Sequence, residues 1–113
     1  MKIEFEIAGK KCSFYKDCTE AEHAELRSLL SKWDKSGDLW TKTQENMRGQ
    51  NHGSTIITSK HVLVVLSPQT SKAELLNTLA HETRHITDAL APEIDLPAPE
   101  ITGIIFSHYA EWL

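Results

Sequence analysis

The chain lacks the features that mark membrane proteins and nucleic-acid-binding proteins. None of its apolar runs approaches the roughly 20 residues that a membrane-spanning helix needs. Its 113 residues include 12 basic and 16 acidic side chains, which give a net charge of −4, and the basic residues form no cluster. Because nucleic acids are bound largely through positive charge, they are poor candidates as partners. The composition therefore predicts neither a membrane partner nor a nucleic-acid partner.

Cysteine is scarce, and its spacing is uninformative for metal or redox chemistry. The two cysteines, Cys12 and Cys18, do not form a C-x-x-C pair. We expect buried structural thiols, with a disulfide as the less favoured alternative. Residues 1–7 alternate between apolar and polar side chains and do not resemble the apolar core of a signal peptide. These observations favour a cytoplasmic location.

The size and the residue patterns predict one domain, residues 1–113. Alternation at 2–8 predicts a strand, and residues 11–15 return as a second strand after a turn at Ala8-Gly9-Lys10. Thr19 and Glu22 form a capping box that opens a helix reaching about Trp33. Its core-facing residues are expected to be Ala21, Leu26, Leu29, Leu30 and Trp33.

The second half of the chain is predicted to contain two more strands and two more helices. Residues 39–52, with Trp40 and Met47, fit either a short helix or an ordered loop. A strand is expected at 54–58, and the apolar run 61–66 is typical of a central strand. The order β-β-α-β-β-α-α predicts an α+β fold. It would have a small mixed or antiparallel sheet of about four strands, a backing helix, a motif helix and a final helix.

The strongest motif is H-E-x-x-H at residues 81–85, His81-Glu82-Thr83-Arg84-His85. Residues four apart lie on one helix face, so both imidazoles can reach one metal ion. Glu82 then lies where it can accept a proton from a water molecule on that metal. Two histidine ligands and a general base within five residues are the arrangement of zinc metallopeptidases.

The surrounding sequence predicts that the motif lies within a helix. Ser71 and Glu74 form a second capping box, and neither proline nor glycine interrupts 72–91 before Pro92. An apolar stripe precedes and follows the motif, and its members are Leu75, Leu76, Leu79 and Ile86. The segment 92–99 is expected to be a non-helical link, and the last helix to run from about Glu100 to Trp112.

A catalytic zinc needs a third protein ligand besides two histidines. We predict Glu100, which would open the last helix and share a face with Ile104 and His108 that points toward the protein body. The alternative role for Glu100, nearly as well supported, is a carboxylate that only interacts favourably with the helix dipole at the start of the last helix. His108 is the alternative ligand.

Several other polar residues near the motif have weaker functional interpretations. Asp88 would accept a hydrogen bond from a ligand histidine, or else be a solvated carboxylate. Tyr109 would donate to an oxyanion, although packing is the favoured interpretation. Glu93, Asp95 and Glu111 are weaker ligand candidates.

Residues 53–112 resemble the small gluzincin metallopeptidases of phages, mobile elements and some prokaryotes. The resemblance consists of the stretch Gly53-Ser-Thr-Ile-Ile-Thr followed by Leu76-Asn-Thr-Leu-Ala-His-Glu-Thr-Arg-His85, and its specific element is the H-E-x-x-H motif. It implies a zincin-like domain in which His81, His85 and Glu100 bind Zn²⁺ and Glu82 is the catalytic base. The H-x-x-G-x-x-H extension of metzincins is missing.

We therefore expect a zinc-dependent metallopeptidase-like hydrolase acting on a peptide or protein substrate. An extended peptide would add to an edge strand, for which 54–58 is the candidate. The first alternative is a catalytically inactive zincin-like module that binds a protein partner through its sheet edge or the Trp40/Met47 region. The second is a structural domain in which the histidine pair is accidental. Substrate specificity and oligomeric state are not predicted.

Overall fold

The protein is built on a four-stranded sheet with helices on both faces. The structure is a computed structural model, and it describes residues 1–49, 52–69 and 71–113. The elements are β1 (Lys2–Ile7), β2 (Lys10–Tyr15), α1 (Glu20–Trp33), α2 (Asp38–Met47), β3 (Gly53–Ile57), β4 (His61–Leu66), α3 (Lys72–Leu90) and α4 (Ala98–Tyr109), with a final 3₁₀ turn at Ala110–Trp112. The predicted α+β class and the prediction of about four strands are confirmed.

The sheet is mixed, with the strand order β1-β2-β4-β3. A tight turn joins β1 to β2 as an antiparallel hairpin, and both its central residues, Ala8 and Gly9, have positive φ angles (51° and 82°). Strand β4 pairs parallel with β2 and antiparallel with β3. It is therefore central, as its apolar run predicts, and β3 is an edge strand.

Two apolar cores lie on opposite faces of the sheet. One lies between the sheet and helices α3 and α4; its most buried members are Cys12, Phe14, Val64, Leu79, Ile86, Leu90, Ile101 and Ile105. The other lies beneath α1 and α2; its buried members are Tyr15, Leu26, Leu30, Trp40, Leu63 and Val65. Because successive residues of β4 point to opposite faces, this one strand supplies apolar side chains to both cores.

The predicted capping signals are found at both helix starts. The Thr19 hydroxyl accepts from the Glu22 N–H while the Glu22 carboxylate accepts from the Thr19 N–H, so the first capping box is complete. At α3 the Ser71 hydroxyl accepts from the Glu74 N–H. The predicted core face of α1 is confirmed at Leu26 and Leu30, and it is wrong at Ala21, which is exposed.

Helix α2 is missing from the predicted order of elements. It occupies most of the segment 39–52, whose residues 50 and 51 lie outside the described part of the chain. The helix follows Gly37, which has a φ of 85° and no side chain to act as a cap. The N–H groups of Asp38 and Leu39 in its first turn donate instead to Ser36 Oγ and Asp34 Oδ2 in the preceding loop. Glycine is an acceptable N-cap but has no side-chain acceptor, so it gives a weaker sequence signal for a helix N-terminus than Ser, Thr, Asp or Asn.

The motif helix α3 packs on the sheet as predicted, but its buried apolar stripe contains fewer residues than the sequence predicted. Leu75, Leu79 and Ile86 are buried, whereas Leu76 is 43% exposed, so its assignment to the core is wrong. Helix α4 begins at Ala98, inside the segment predicted to be non-helical. Pro99 is compatible with this start because the first turn of a helix needs no N–H donor.

Cys12 is buried, Cys18 is half-buried, and both are free thiols, in agreement with the favoured interpretation. Within the described ranges, no helix has both the length and the apolar character needed to cross a bilayer.

Candidate metal centre

His81 and His85 lie side by side on the outer face of α3. Both side chains are exposed, and their Nε2 atoms are 3.1 Å apart. The ring centroids are 4.6 Å apart and the rings are nearly perpendicular, at 88°. The four-residue spacing on a helix thus brings the two ring nitrogens together, as the motif predicts.

The separation of the two Nε2 atoms fits a shared zinc ion. Two nitrogen ligands at the usual zinc–nitrogen length of about 2.0–2.1 Å, in tetrahedral geometry, lie about 3.3 Å from each other. The observed 3.1 Å is close to that value. The imidazoles of His81 and His85 can therefore occupy two of the four positions around one zinc ion.

Glu82 is the buried member of the motif. Its side chain is on the sheet side of α3, and the residue is 4% exposed. The Thr55 hydroxyl donates a short hydrogen bond to its Oε2. Its Oε1 faces Gly53, where an added Cβ would lie 3.3 Å from this oxygen. The base predicted from the motif is thus held between α3 and the edge strand.

A groove runs between β3 and α3 on both sides of this carboxylate. One part, of about 430 Å³, is lined by Gly53, Ser54, Thr55, Ile57, His81, Glu82 and His85. The other, of about 340 Å³, is lined by His52, Gly53, Asn77, Thr78, His81 and Glu82. Since both parts share Gly53, His81 and Glu82, these three residues lie near the middle of the groove, and His85 lines one part.

Glu100, the predicted third ligand, is exposed in the first turn of α4. In the described residues, no third His, Cys, Asp or Glu side chain completes a metal-binding group with the histidine pair. The predicted orientation of Glu100 toward the protein body is wrong, because α4 buries Ile101, Ile105 and Tyr109 instead. The ligand role of Glu100 stays a prediction.

His108, the alternative ligand, lies at the other side of the sheet. Its ring stacks on Phe5 of β1, with centroids 4.1 Å apart and an angle of 2° between the planes. Strands β1 and β3 are opposite edges of the sheet, about 14 Å apart at the usual spacing of strands. This packing favours a structural role for His108.

Two pairs of hydroxyl groups join α4 to α3. The buried Thr83 hydroxyl lies 3.0 Å from the Tyr109 hydroxyl, and the Thr87 and Thr102 hydroxyls are 3.1 Å apart. The order of these contacts makes the two helices antiparallel. Burial raises the pKa of Tyr109. Tyr109 is 1% exposed, which supports the packing role over donation to an oxyanion.

The weaker candidates lie in different surroundings. Asp88 forms an exposed ion pair with Arg84, with 3.7 Å between Oδ2 and Nε. Glu93 pairs with Lys10 at 2.8 Å. Asp95 and Glu111 are exposed. Among these contacts none involves the histidine pair.

Gly53 and Thr55, which flank the Glu82 carboxylate, were not predicted as site residues from the sequence. The signal was present, because alternate residues of a strand point to the same face. Once β3 is assigned, positions 53, 55 and 57 form one row, and a hydroxyl in that row beside a buried motif carboxylate is a candidate donor.

Comparison of the chain with protein-family models, curated proteins and solved structures gives no match.

Proposed function

We propose that this protein is a zinc-dependent hydrolase that cleaves peptide bonds. The observation that supports this most directly is the 3.1 Å separation of the His81 and His85 Nε2 atoms in a groove that also contains Glu82. A metal ligand pair and a carboxylate in one groove are the parts that metal-assisted hydrolysis requires. The proposed location is the cytoplasm.

Glu100 is the proposed third ligand. Its side chain is exposed, and no hydrogen bond or ion pair links it to the described part of the chain. Thr102, one half-turn further along α4, contacts Thr87, which lies two residues beyond His85. Because α3 and α4 are antiparallel, the first turn of α4 lies toward the His85 end of the motif. Glu100 and His85 each lie two residues, about 200° of helical rotation, from this contact, so their side chains point away from it.

The groove suits an extended peptide. Strand β3 is an edge of the sheet and pairs only with β4 among the described strands, so its outer side can pair with a substrate strand. The groove continues on both sides of Glu82. A substrate chain could therefore extend in both directions from the bond that is cleaved.

The chemical step assigns a separate task to each residue of the motif. Zinc, when bound, supplies a Lewis acid that polarises the substrate carbonyl and lowers the pKa of a nearby water molecule to about 7. His81 and His85 would hold the metal through Nε2. Glu82 accepts the proton of the attacking water molecule and then donates it to the leaving amine.

Hydrolysis of fluorescently labelled casein by the zinc-loaded protein tests this proposal. We expect cleavage that stops with a chelator, returns with added zinc, and is lost in Glu82→Gln while the metal content is kept. Glu111→Ala, on the final turn, is the matched control for Glu100→Ala; only the latter should lose zinc. A wild-type protein that purifies without metal and does not bind added zinc would rule the proposal out.

The alternative is a catalytically inactive zincin-like module that acts by binding a protein partner. The observation in its favour is the lack, in the described residues, of a three-residue metal-binding group at the pair. This alternative predicts that the zinc-loaded protein leaves casein intact and that Glu82→Ala retains the biological effect. Loss of that effect in Glu82→Ala would exclude it.

A further inference from the structure

Thr55 and Gly53 form a cradle for the Glu82 carboxylate on the edge strand. They are two residues apart in β3, so both face α3. The Thr55 hydroxyl donates to Oε2, and Gly53 leaves the other oxygen, Oε1, without a side chain in front of it. One oxygen of the carboxylate, Oε2, is therefore hydrogen-bonded, whereas the other, Oε1, faces a glycine.

The Thr55 hydroxyl is the polar contact found for this buried carboxylate in the described residues. Glu82 is 4% exposed, and none of the ion pairs of the described residues includes it. A buried carboxylate needs hydrogen-bond donors to offset the loss of hydration. Thr55 has one hydroxyl hydrogen and gives it to Oε2, which restricts rotation of the carboxylate about its terminal bond.

Gly53 determines what can approach the free oxygen. A Cβ at this position would lie 3.1 Å from a methyl carbon of Leu66 and 3.3 Å from both Glu82 Oε1 and a methyl carbon of Thr78. Contacts this short leave no room for a larger side chain without movement of the strand or the carboxylate. Glycine thus keeps Oε1 accessible from the groove.

We propose that Thr55 is a positioning residue, which holds Oε2 of Glu82 so that Oε1 is the oxygen that exchanges protons with the substrate and water. This inference rests on the proposed function, because a fixed base has a role only beside a bound metal. It identifies a residue outside the H-E-x-x-H motif that the reaction requires.

The test uses the zinc-loaded protein and acetohydroxamic acid, a small metal chelator whose hydroxyl group needs a carboxylate acceptor beside the metal. Calorimetry should give equal affinities for the wild type and for Thr55→Ser, which keeps the hydroxyl. Thr55→Val, which keeps the shape and loses the hydroxyl, should bind about tenfold more weakly, the factor expected for a lost hydrogen bond to a charged group. Thr41→Val, at an exposed site on α2, is the matched control.

Three further measurements separate positioning from a general structural effect. Thr55→Val should bind zinc with the wild-type affinity, and combining it with Glu82→Gln should weaken chelator binding no further than Glu82→Gln alone. On casein-derived peptides it should lower kcat and leave KM unchanged. Thr55→Ala is a second variant without the hydroxyl, should the valine disturb folding.

The possible failures are distinguishable. Wild-type protein that binds no zinc refutes the proposed function and this inference together. Zinc-loaded Thr55→Val that binds acetohydroxamic acid as tightly as the wild type refutes the positioning role alone. Equal weakening in Thr55→Ser and Thr55→Val also refutes it, because the hydroxyl would then be irrelevant.

Discussion

The hydroxyl pair between Thr83 and Tyr109 gives an asymmetric stability prediction. Thr83 is 2% exposed and Tyr109 is 1% exposed, so both groups are out of contact with water. The Thr83 hydroxyl donates to the Leu79 carbonyl at 2.6 Å. It has no second hydrogen, so the Tyr109 hydroxyl must be the donor in the 3.0 Å contact between the two residues.

The two single substitutions should therefore have different costs. In Tyr109→Phe the Thr83 hydroxyl keeps its bond to Leu79, and one hydrogen bond is lost, which costs about 0.5–1.5 kcal/mol. In Thr83→Val the Tyr109 hydroxyl is left buried without an acceptor, which costs about 1–3 kcal/mol. The double variant removes both polar groups and should be no less stable than Thr83→Val.

Urea unfolding followed by circular dichroism measures these differences. Each 1 kcal/mol should also shift the thermal midpoint by about 4 °C for a chain of this size. A Tyr109→Phe variant that is less stable than Thr83→Val would refute the assignment of donor and acceptor. Strictly additive costs in the double variant would refute the contact itself.

Three other substitutions or conditions test separate parts of the fold. The hydrogen bond from the Lys2 ammonium lowers the pKa of Glu25. The stabilisation from this pair is therefore complete above the ordinary carboxylate pKa and is lost as the pH falls through the lower pKa of the folded state. The difference in unfolding free energy between the wild type and Glu25→Gln, measured in urea, should shrink as the pH falls below about 4. Burial raises the pKa of the Cys12 thiol to about 11, so a disulfide reagent at pH 8 should label it only after unfolding, and rapid labelling of the folded protein would contradict the burial. Gly53→Ala should destabilise the protein by about 1–3 kcal/mol because its Cβ would crowd Glu82 and the core, whereas unchanged stability in thermal unfolding would mean that the strand can shift freely.

Local sequence patterns predict most of the elements but not how they come together. The hairpin β1–β2, the helix starts at Thr19 and Ser71, and the central strand β4 are all fixed by neighbouring residues. The segment of helix α2 was left open between a short helix and a loop, because its N-cap, Gly37, has no side chain that would mark a helix start. The parallel pairing of β2 with β4 joins distant segments, so no local pattern predicts it.

In the candidate site, too, contacts within one helix could be predicted from the sequence, whereas contacts between distant segments could not. Spacing alone predicts the convergence of His81 and His85, because one helix turn fixes it. The contact between Thr55 and Glu82 joins residues 27 positions apart and depends on the packing of α3 against the edge strand. The face of α4 that carries Glu100 was assigned wrongly because apolar residues occupy both candidate faces, and packing selects the one with Ile101.

Zinc content after native purification is the most direct test of the central claim, that His81 and His85 bind a metal beside Glu82. The account predicts about one zinc per chain in the wild type, in Glu82→Gln and in the control His23→Ala, which changes an exposed histidine on α1. It predicts loss of zinc in His85→Ala. Equal zinc in His85→Ala and the wild type, or no zinc in any of them even after zinc is added, would contradict it.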